Sequence, residues 1–309
     1  MNINRLILNS AVAQGLDVIG DRWALRILNE AFNGKRRFEE FRSHTGASRA
    51  TLTRRLTALV DNDILYKRPY STGATRFEYK FTEKGLGLFG ASLLARQWEL
   101  DWKVEEPETS DKQLFHSPCN SILQPRAVCR HCHEALELED VSWLSLDEEL
   151  NNQMDEIKSI HQQHQADLSS ENINNTPEVK LADLVGDRWT LLILIVAFFG
   201  TTRYDDFLKQ LKIAPGILVE RLKNLIEAGV LHRKSYQSNP PRYAYKLTAK
   251  GRSLYPFTMS LRQWAIDWLP DKVSEPNLIH SSCGEALAVE IHCESCKQKP
   301  WPRDVRLQF

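Results

Sequence analysis

The fold class that this 309-residue sequence predicts is α+β, mainly α, built twice in tandem with a small His/Cys knuckle behind each copy. Three observations predict it. A long segment recurs without a gap, each copy runs through helical periodicities into a strand–turn–strand pattern, and all six cysteines fall into two matching clusters.

The recurrence is direct. Leu16-Asp17-Val18-Ile19-Gly20-Asp21-Arg22-Trp23 returns, with three substitutions, as Ala182-Asp183-Leu184-Val185-Gly186-Asp187-Arg188-Trp189. The same shift pairs Gly34 with Gly200, Phe41 with Phe207, Leu56 with Leu222, Gly85 with Gly251, Trp98 with Trp264 and Trp102 with Trp268. Self-similarity of this length, rare Trp and Gly included, means that one fold unit is used twice. The organisation expected is a winged helix-turn-helix domain over 1–105, a knuckle over 106–144, a polar linker over 145–175, a second winged domain over 176–271 and a second knuckle over 272–309. Within the linker, Leu150, Met154, Ile157 and Ile160 have roughly helical spacing, but its richness in Asp, Glu, Gln and Asn favours a linker.

Each element of the unit has its own signal. Apolar residues recur at helical spacing from Val12 to Ile19 and from Trp23 to Phe32, with Gly20-Asp21 as the break. A third helix, Phe38 to Thr45, runs into Gly46-Ala47-Ser48, where Gly supplies a turn and Ser48 an N-cap. The fourth, Ser48 to Asn62, stacks Leu52, Leu56 and Leu59 on one face and leaves Ala50, Arg54 and Thr57 on the other. Residues Ile64 to Pro69 and Arg76 to Phe81 then flank the turn-prone Tyr70-Ser71-Thr72-Gly73-Ala74 as a β-hairpin wing. Thr82 to Gly85 opens one long closing helix that carries Leu88, Leu93, Leu94, Trp98 and Trp102. The tryptophans Trp23, Trp189, Trp98 and Trp264 are expected in the core rather than in a ligand pocket.

The knuckles carry the second signal. His116, Cys119, Cys129 and Cys132 match His280, Cys283, Cys293 and Cys296 at a shift of 164, in the order His-x-x-Cys, nine residues, Cys-x-x-Cys. Three cysteines cannot all close as disulfides. Four N and S ligands suit tetrahedral Zn²⁺ and leave no open position for a reactive water, so two structural zinc sites are expected, one in each knuckle. His131, His133 and His292 lie near enough in sequence to replace the histidine ligand. Reduced thiols without metal, or thiolates oxidised as a redox switch, are the other readings.

Charge is distributed unevenly under a net of zero. Residues 1–104 hold 17 basic and 11 acidic side chains, residues 105–172 hold 4 and 15, and residues 173–309 hold 19 and 14. Two basic lobes around an acidic middle favour a polyanionic partner. No run approaches the ~20 apolar residues of a membrane span, and Met1 to Asn9 lacks a small-residue cleavage site, so a cytoplasmic location is expected and a membrane partner is not.

The pattern Gly20-Asp21-Arg22-Trp23, Arg37-Phe38 with Phe41, Leu52 with Arg55-Leu56, and Tyr79, Thr82 and Gly85 resembles the HxlR-type winged-helix regulators over residues 12–104 and 178–270. The resemblance implies a protein that binds double-stranded DNA. Members are typically single-domain homodimers with contacts from the first and last helices, which implies two protomers joined here in one polypeptide; the trailing His/Cys segments depart from the usual pattern. Some members sense electrophiles through a Cys ahead of the first helix, a mechanism that Ser10 and Thr176 at those positions do not support.

A helix-turn-helix offers the start of its second helix to the major groove. Ser48, Arg49, Thr51, Thr53 and Arg54 suit that task in the first copy; Arg76 and Arg242 beside the hairpin turns, with Lys67, Arg68, Arg233 and Lys234 on the first strands, suit phosphate contact. The second copy replaces Ser48, Arg49, Thr51 and Arg54 by Ala214, Pro215, Ile217 and Glu220, so its helix is expected to read DNA weakly or to serve mainly as a built-in dimer partner. No Gly-rich phosphate loop, Ser-x-x-Lys or His-Glu-x-x-His arrangement is present, and an enzyme is not expected. A zinc-dependent enzyme on a winged-helix scaffold and a zinc-stabilised protein-interaction module are the alternatives. The operator, the sign of regulation, any effector and homo-oligomer formation are not specified by the sequence.

Overall fold

The computed structural model describes residues 10–69, 77–103, 113–143, 180–269 and 278–308. In the first copy, α1 (Ala11–Ile19) and α2 (Arg22–Phe32) are separated at Gly20, whose φ of 101° an L side chain rarely adopts. Ser10 caps α1 and Asp21 caps α2, each through its side-chain oxygen. α3 (Phe38–Thr45) ends on left-handed Gly46, and α4 (Arg49–Asp61) follows after Ser48. β1 (Leu65–Pro69) pairs antiparallel with β2 (Phe77–Phe81), and Arg37 adds a bridge to Glu78 that ties the wing to the start of α3. The expected wing turn lies outside the described residues, as does the linker.

The single closing helix expected from the apolar spacing is two helices, α5 (Glu83–Leu86) and α6 (Phe89–Asp101). At the break the Leu88 N–H bonds the Gly85 carbonyl at 3.1 Å, three residues back rather than four, and the turn before it is packed under the wing. The Thr82 hydroxyl donates to the Asp63 carbonyl at 2.6 Å and accepts the Gly85 N–H at 3.0 Å, pinning one turn against the end of α4. A Cβ on Gly85 would stand 2.1 Å from the Ile64 carbonyl oxygen, so only glycine allows this approach.

The second copy repeats the order as α7 (Leu181–Val185), α8 (Arg188–Phe198), α9 (Tyr204–Leu211), α10 (Pro215–Glu227), β7 (Leu231–Ser238), β8 (Pro241–Leu247), α11 (Ala249–Arg252) and α12 (Tyr255–Trp268). Its helix α8 reads Arg-Trp-Thr-Leu-Leu-Ile-Leu-Ile-Val-Ala-Phe and buries every residue from Thr190 to Phe198. A helix apolar all round must be covered on all sides. Here α1 of the first copy packs against α8 as well as along α12.

One hydrophobic core runs through both copies. The bond from Trp98 Nε1 to the Lys250 carbonyl, 3.1 Å, is answered by one from Trp264 Nε1 to the Lys84 carbonyl, 2.9 Å. These are the same pair of positions with the copies exchanged, and both indoles are buried. Gly15 lets α1 lie on α12: an added Cβ would meet the Ala265 Cβ at 3.3 Å. Ion pairs Arg188–Asp17 and Arg26–Asp183 cross the same junction.

The knuckles are interleaved. The first contributes β3 (Gln113–His116), β4 (Ser121–Ile122), β5 (Pro125–Cys129) and β6 (Val141–Trp143); the second contributes β9 (Leu278–His280), β10 (Val289–Cys293) and β11 (Val305–Gln308). β5 pairs antiparallel with β10 so that Ala127 faces Ile291, its own counterpart at the shift of 164. β3 pairs with β11, and in the equivalent exchange β6 pairs with β9. α6 and α12 both support the β5–β10 ribbon. Among the described residues no helix is long and apolar enough to cross a membrane.

Candidate nucleic-acid interface and metal centres

The helix-turn-helix element, α3 to α4, is fixed from below and free above. Leu52, Leu56 and Leu59 are buried, while Ser48, Arg49, Thr53 and Arg54 are exposed and Thr51 is half-buried. Ser48 accepts the Thr51 N–H at 3.2 Å, so its oxygen caps the helix, and its hydroxyl donates to the Thr51 hydroxyl at 3.0 Å. Arg49 lies over the Phe38 ring and pairs with Glu39 at 2.8 Å. Lys67 and Arg68 are exposed on β1, with Arg68 3.8 Å from Glu78; Arg76 lies outside the described residues.

The opposite end of the element is held by a pair that motif reading passed over. Asp21 Oδ1 accepts the N–H groups of Trp23 and Ala24, while Oδ2 pairs with Arg55 of α4. The second copy repeats this with Asp187 capping α8 at Thr190 and receiving Arg221 Nε at 2.7 Å. Asp187 raises the Arg221 pKa further above its ordinary range, against the opposing effect of burial. The signal was present in the sequence as an Asp at an N-cap position in a repeated Gly-Asp-Arg-Trp, but its reach to the second helix is a tertiary fact.

In the second copy, Ala214 at the N-cap of α10 and Pro215, Val219 and Glu220 on it are exposed, and Ile217 is half-buried. No side chain caps this helix, and Pro occupies its first position, where the missing N–H is not needed. Arg233, Lys234 and Arg242 are exposed on its wing, with Arg233 stacked 4.9 Å from the Tyr243 ring centre.

The eight expected metal-ligand residues converge into two groups, but not one group per knuckle. His116 and Cys119 meet Cys293 and Cys296, while Cys129 and Cys132 meet His280 and Cys283. The within-knuckle grouping expected from spacing is therefore corrected. The reason is the strand pairing: β5 runs beside β10 rather than beside β3, carrying each Cys-x-x-Cys to the other copy's His-x-x-Cys. The alternative ligands His131, His133 and His292 are not in either group; His292 instead approaches Glu290 at 3.3 Å.

The geometry fits a tetrahedral ion. Zn–S near 2.3 Å and Zn–N near 2.0–2.1 Å put the ligand atoms of a tetrahedron about 3.5–3.8 Å apart. His116 Nδ1 stands 3.3 Å from Cys119 Sγ and 3.4 Å from Cys296 Sγ, and Cys119 Sγ is 3.8 Å from Cys293 Sγ. The other group gives 3.3 Å from His280 Nδ1 to Cys132, 3.4 Å to Cys283 and 3.9 Å between Cys129 and Cys283. A disulfide would need sulfurs about 2.05 Å apart, and all six thiols are free. Burial pushes the Cys129 thiol up, but hydrogen bonds from the backbone N–H groups of Cys132 and His131, together with those of the Cys132 and Cys283 thiols, hold the pKa below the ordinary thiol range. Cys296 and Ser295 do the same for Cys293. Left-handed residues at matching places, Asn120 and Gly284 after one ligand pair, His133 and Lys297 after the other, turn the backbone around each group.

A paired helix-turn-helix with a basic wing, seated on an apolar core, defines the class of winged-helix DNA-binding regulators. The chain belongs to the HxlR-like helix-turn-helix family, which it matches at residues 18–107 and again at 184–273. It is 38% identical over 132 residues to the uncharacterized HTH-type transcriptional regulator Rv3095 of Mycobacterium tuberculosis (strain ATCC 25618 / H37Rv), a match covering 83% of that protein and 43% of this chain. YdeP of Bacillus subtilis (strain 168), also named an uncharacterized HTH-type transcriptional regulator, is 32% identical over 99 residues, covering 77% of itself and 32% of this chain. A third of that description, sll1512 of Synechocystis sp., is 32% identical over 121 residues, covering 87% of itself and 38% of this chain. Most of each relative thus corresponds to less than half of this chain. Family and relatives both point to transcription regulation rather than to catalysis.

Proposed function

We propose that the chain is a sequence-specific transcription regulator whose two copies act as an intramolecular pseudo-dimer on duplex DNA, with Zn²⁺ as a structural ion in both His/Cys groups. The observation that carries this reading is the exchange of equivalent contacts between the copies: the reciprocal Trp98 and Trp264 bonds, and the β5–β10 ribbon centred on Ala127 and Ile291. Separate protomers related by a two-fold axis make contacts of this reciprocal kind. Exposure of Arg49, Thr53 and Arg54 on α4 supplies donors for the groove. His116, Cys119, Cys293 and Cys296 would hold one ion, and Cys129, Cys132, His280 and Cys283 the other. Bound there, Zn²⁺ supplies a cross-link between strands that come from different copies. DNA contact by the eleven polar residues named from sequence, and by Arg76 in particular, belongs to this proposal.

Selection of bound sequences from random duplex DNA, followed by titration at increasing salt, tests it. The expected result is one chain per duplex on a site with two half-sites about one helical turn apart. Affinity should fall linearly with log salt, at a slope of about −0.9 for each phosphate neutralised. Binding only as two chains per site, or no salt-dependent duplex binding, overturns it.

A further inference from the structure

The two helices that face the proposed groove share a seat and differ in surface. Leu218, Leu222 and Leu225 bury the lower face of α10 as Leu52, Leu56 and Leu59 bury that of α4. The wing cations also recur by position, Arg233 and Lys234 for Lys67 and Arg68, and Arg242 for Arg76. A helix retired from DNA contact has no use for a phosphate-binding flank, yet that flank is kept. The exposed start of the helix, from Ala214 to Glu220, is rewritten.

What it is rewritten to is specific. Val219 stands where the first copy has Thr53, and at 56% it has the highest relative exposure of any large hydrophobic among the described residues. Ala214, Pro215 and Gly216 extend an apolar, sparsely crowded rim beside it, and a Cβ added at Gly216 would meet nothing within 4 Å. Glu220 stands where the first copy has Arg54, and its side chain is 64% exposed. Its charge is partly answered on the spot. Arg221 lies 2.9 Å from Glu220 and is itself held by Asp187, so the carboxylate approaches a phosphate-lined groove with a cation beside it.

Base edges answer these groups differently. Arg donates to guanine O6 and N7, a carboxylate accepts from the cytosine N4 amino group, and an apolar side chain packs on the thymine methyl. We propose that the two copies read different half-sites: Arg54 reads a guanine, whereas at the equivalent place in the other half-site Glu220 reads a cytosine and Val219 an adjacent thymine methyl. The operator is then an imperfect palindrome, with a fixed orientation for the chain upon it. This inference rests on the DNA-binding reading above. It replaces the expectation that the second helix reads weakly.

The test uses the full chain and the duplex obtained by selection, with single-base analogues. Replacing the thymine by deoxyuridine removes only the methyl group, and replacing the guanine by 7-deazaguanine removes only N7. Deoxyuridine should weaken binding of the unaltered chain several-fold and leave Val219→Ala indifferent; 7-deazaguanine should likewise weaken the unaltered chain and leave Arg54→Ala indifferent. Glu220→Gln should move the preference at its position from cytosine to adenine, with discrimination changing roughly 5- to 150-fold, since Gln pairs with adenine N6 and N7. A purely structural role for Glu220 would not change base preference. All three side chains are exposed, and unchanged thermal unfolding of the variants controls for folding. A selected site with identical bases in both halves, or with no base preference in the second half, overturns this inference and leaves DNA binding standing. Absence of duplex binding removes both.

Discussion

Asp21 shows how much one side chain can organise. Its two oxygens cap α2 and pair with Arg55 of α4, so a helix that is core and a helix that is surface share one anchor. Asp21→Ala leaves two first-turn amide donors without their acceptor and Arg55 without its partner. The expected cost is about 1–2 kcal/mol, at the upper end of cap substitutions, read as a lower urea midpoint with an unchanged slope. Asp187→Ala should match it. The sequence displayed both aspartates in their motif, and N-cap chemistry was legible from the Asp ahead of an apolar run. The partner was not, because Arg55 lies 34 residues away and no local spacing links them. Arg49 teaches the converse: a residue chosen for groove contact already has Glu39 as partner, so its approach to DNA exchanges one charge partner for another.

At the scale of elements, helical periodicity located the first helix-turn-helix pair, β-compatible runs around a turn-prone stretch located its wing, and the repeat carried both to the second copy, whose α10 is seated on the same leucine positions as α4. Periodicity merged α5 with α6. The apolar run Leu86, Leu88, Phe89 continues through the break, and only the backbone shows it, in a Leu88 N–H that bonds Gly85 three residues back, after a turn held against the Ile64 carbonyl. Gly85→Ala should therefore cost more than Gly46→Ala. The first drives a Cβ to 2.1 Å from backbone oxygen and must lift the wing or the helix, an expected loss of about 2–3 kcal/mol. The second meets nothing within 4 Å and suffers only from its φ of 69°, about 1–2 kcal/mol. Thermal unfolding of the two variants ranks them, and an equal loss would contradict the close approach under the wing.

At the scale of the whole molecule, the question is what joins the copies, and here the ligand types were legible while their partnership was not. A His-x-x-Cys and a Cys-x-x-Cys nine residues apart can share an ion, but strand pairing between residues more than 150 apart decides that they do not. With the two His/Cys groups each drawn from both copies, metal content would be a direct readout of topology. Each single variant, His116→Ala, Cys296→Ser or Cys132→Ser, should reduce the zinc in the purified chain from two ions to one. The double variants separate the arrangements. His116 and Cys296 belong to one group here, so H116A/C296S should keep one ion; His116 and Cys132 belong to different groups, so H116A/C132S should keep none. Coordination within each knuckle predicts the reverse for both. Because each ion would clasp strands from different copies, removing both by chelation should also loosen the β5–β10 ribbon, read as faster amide exchange from Ala127 to Cys129 and from Val289 to Ile291.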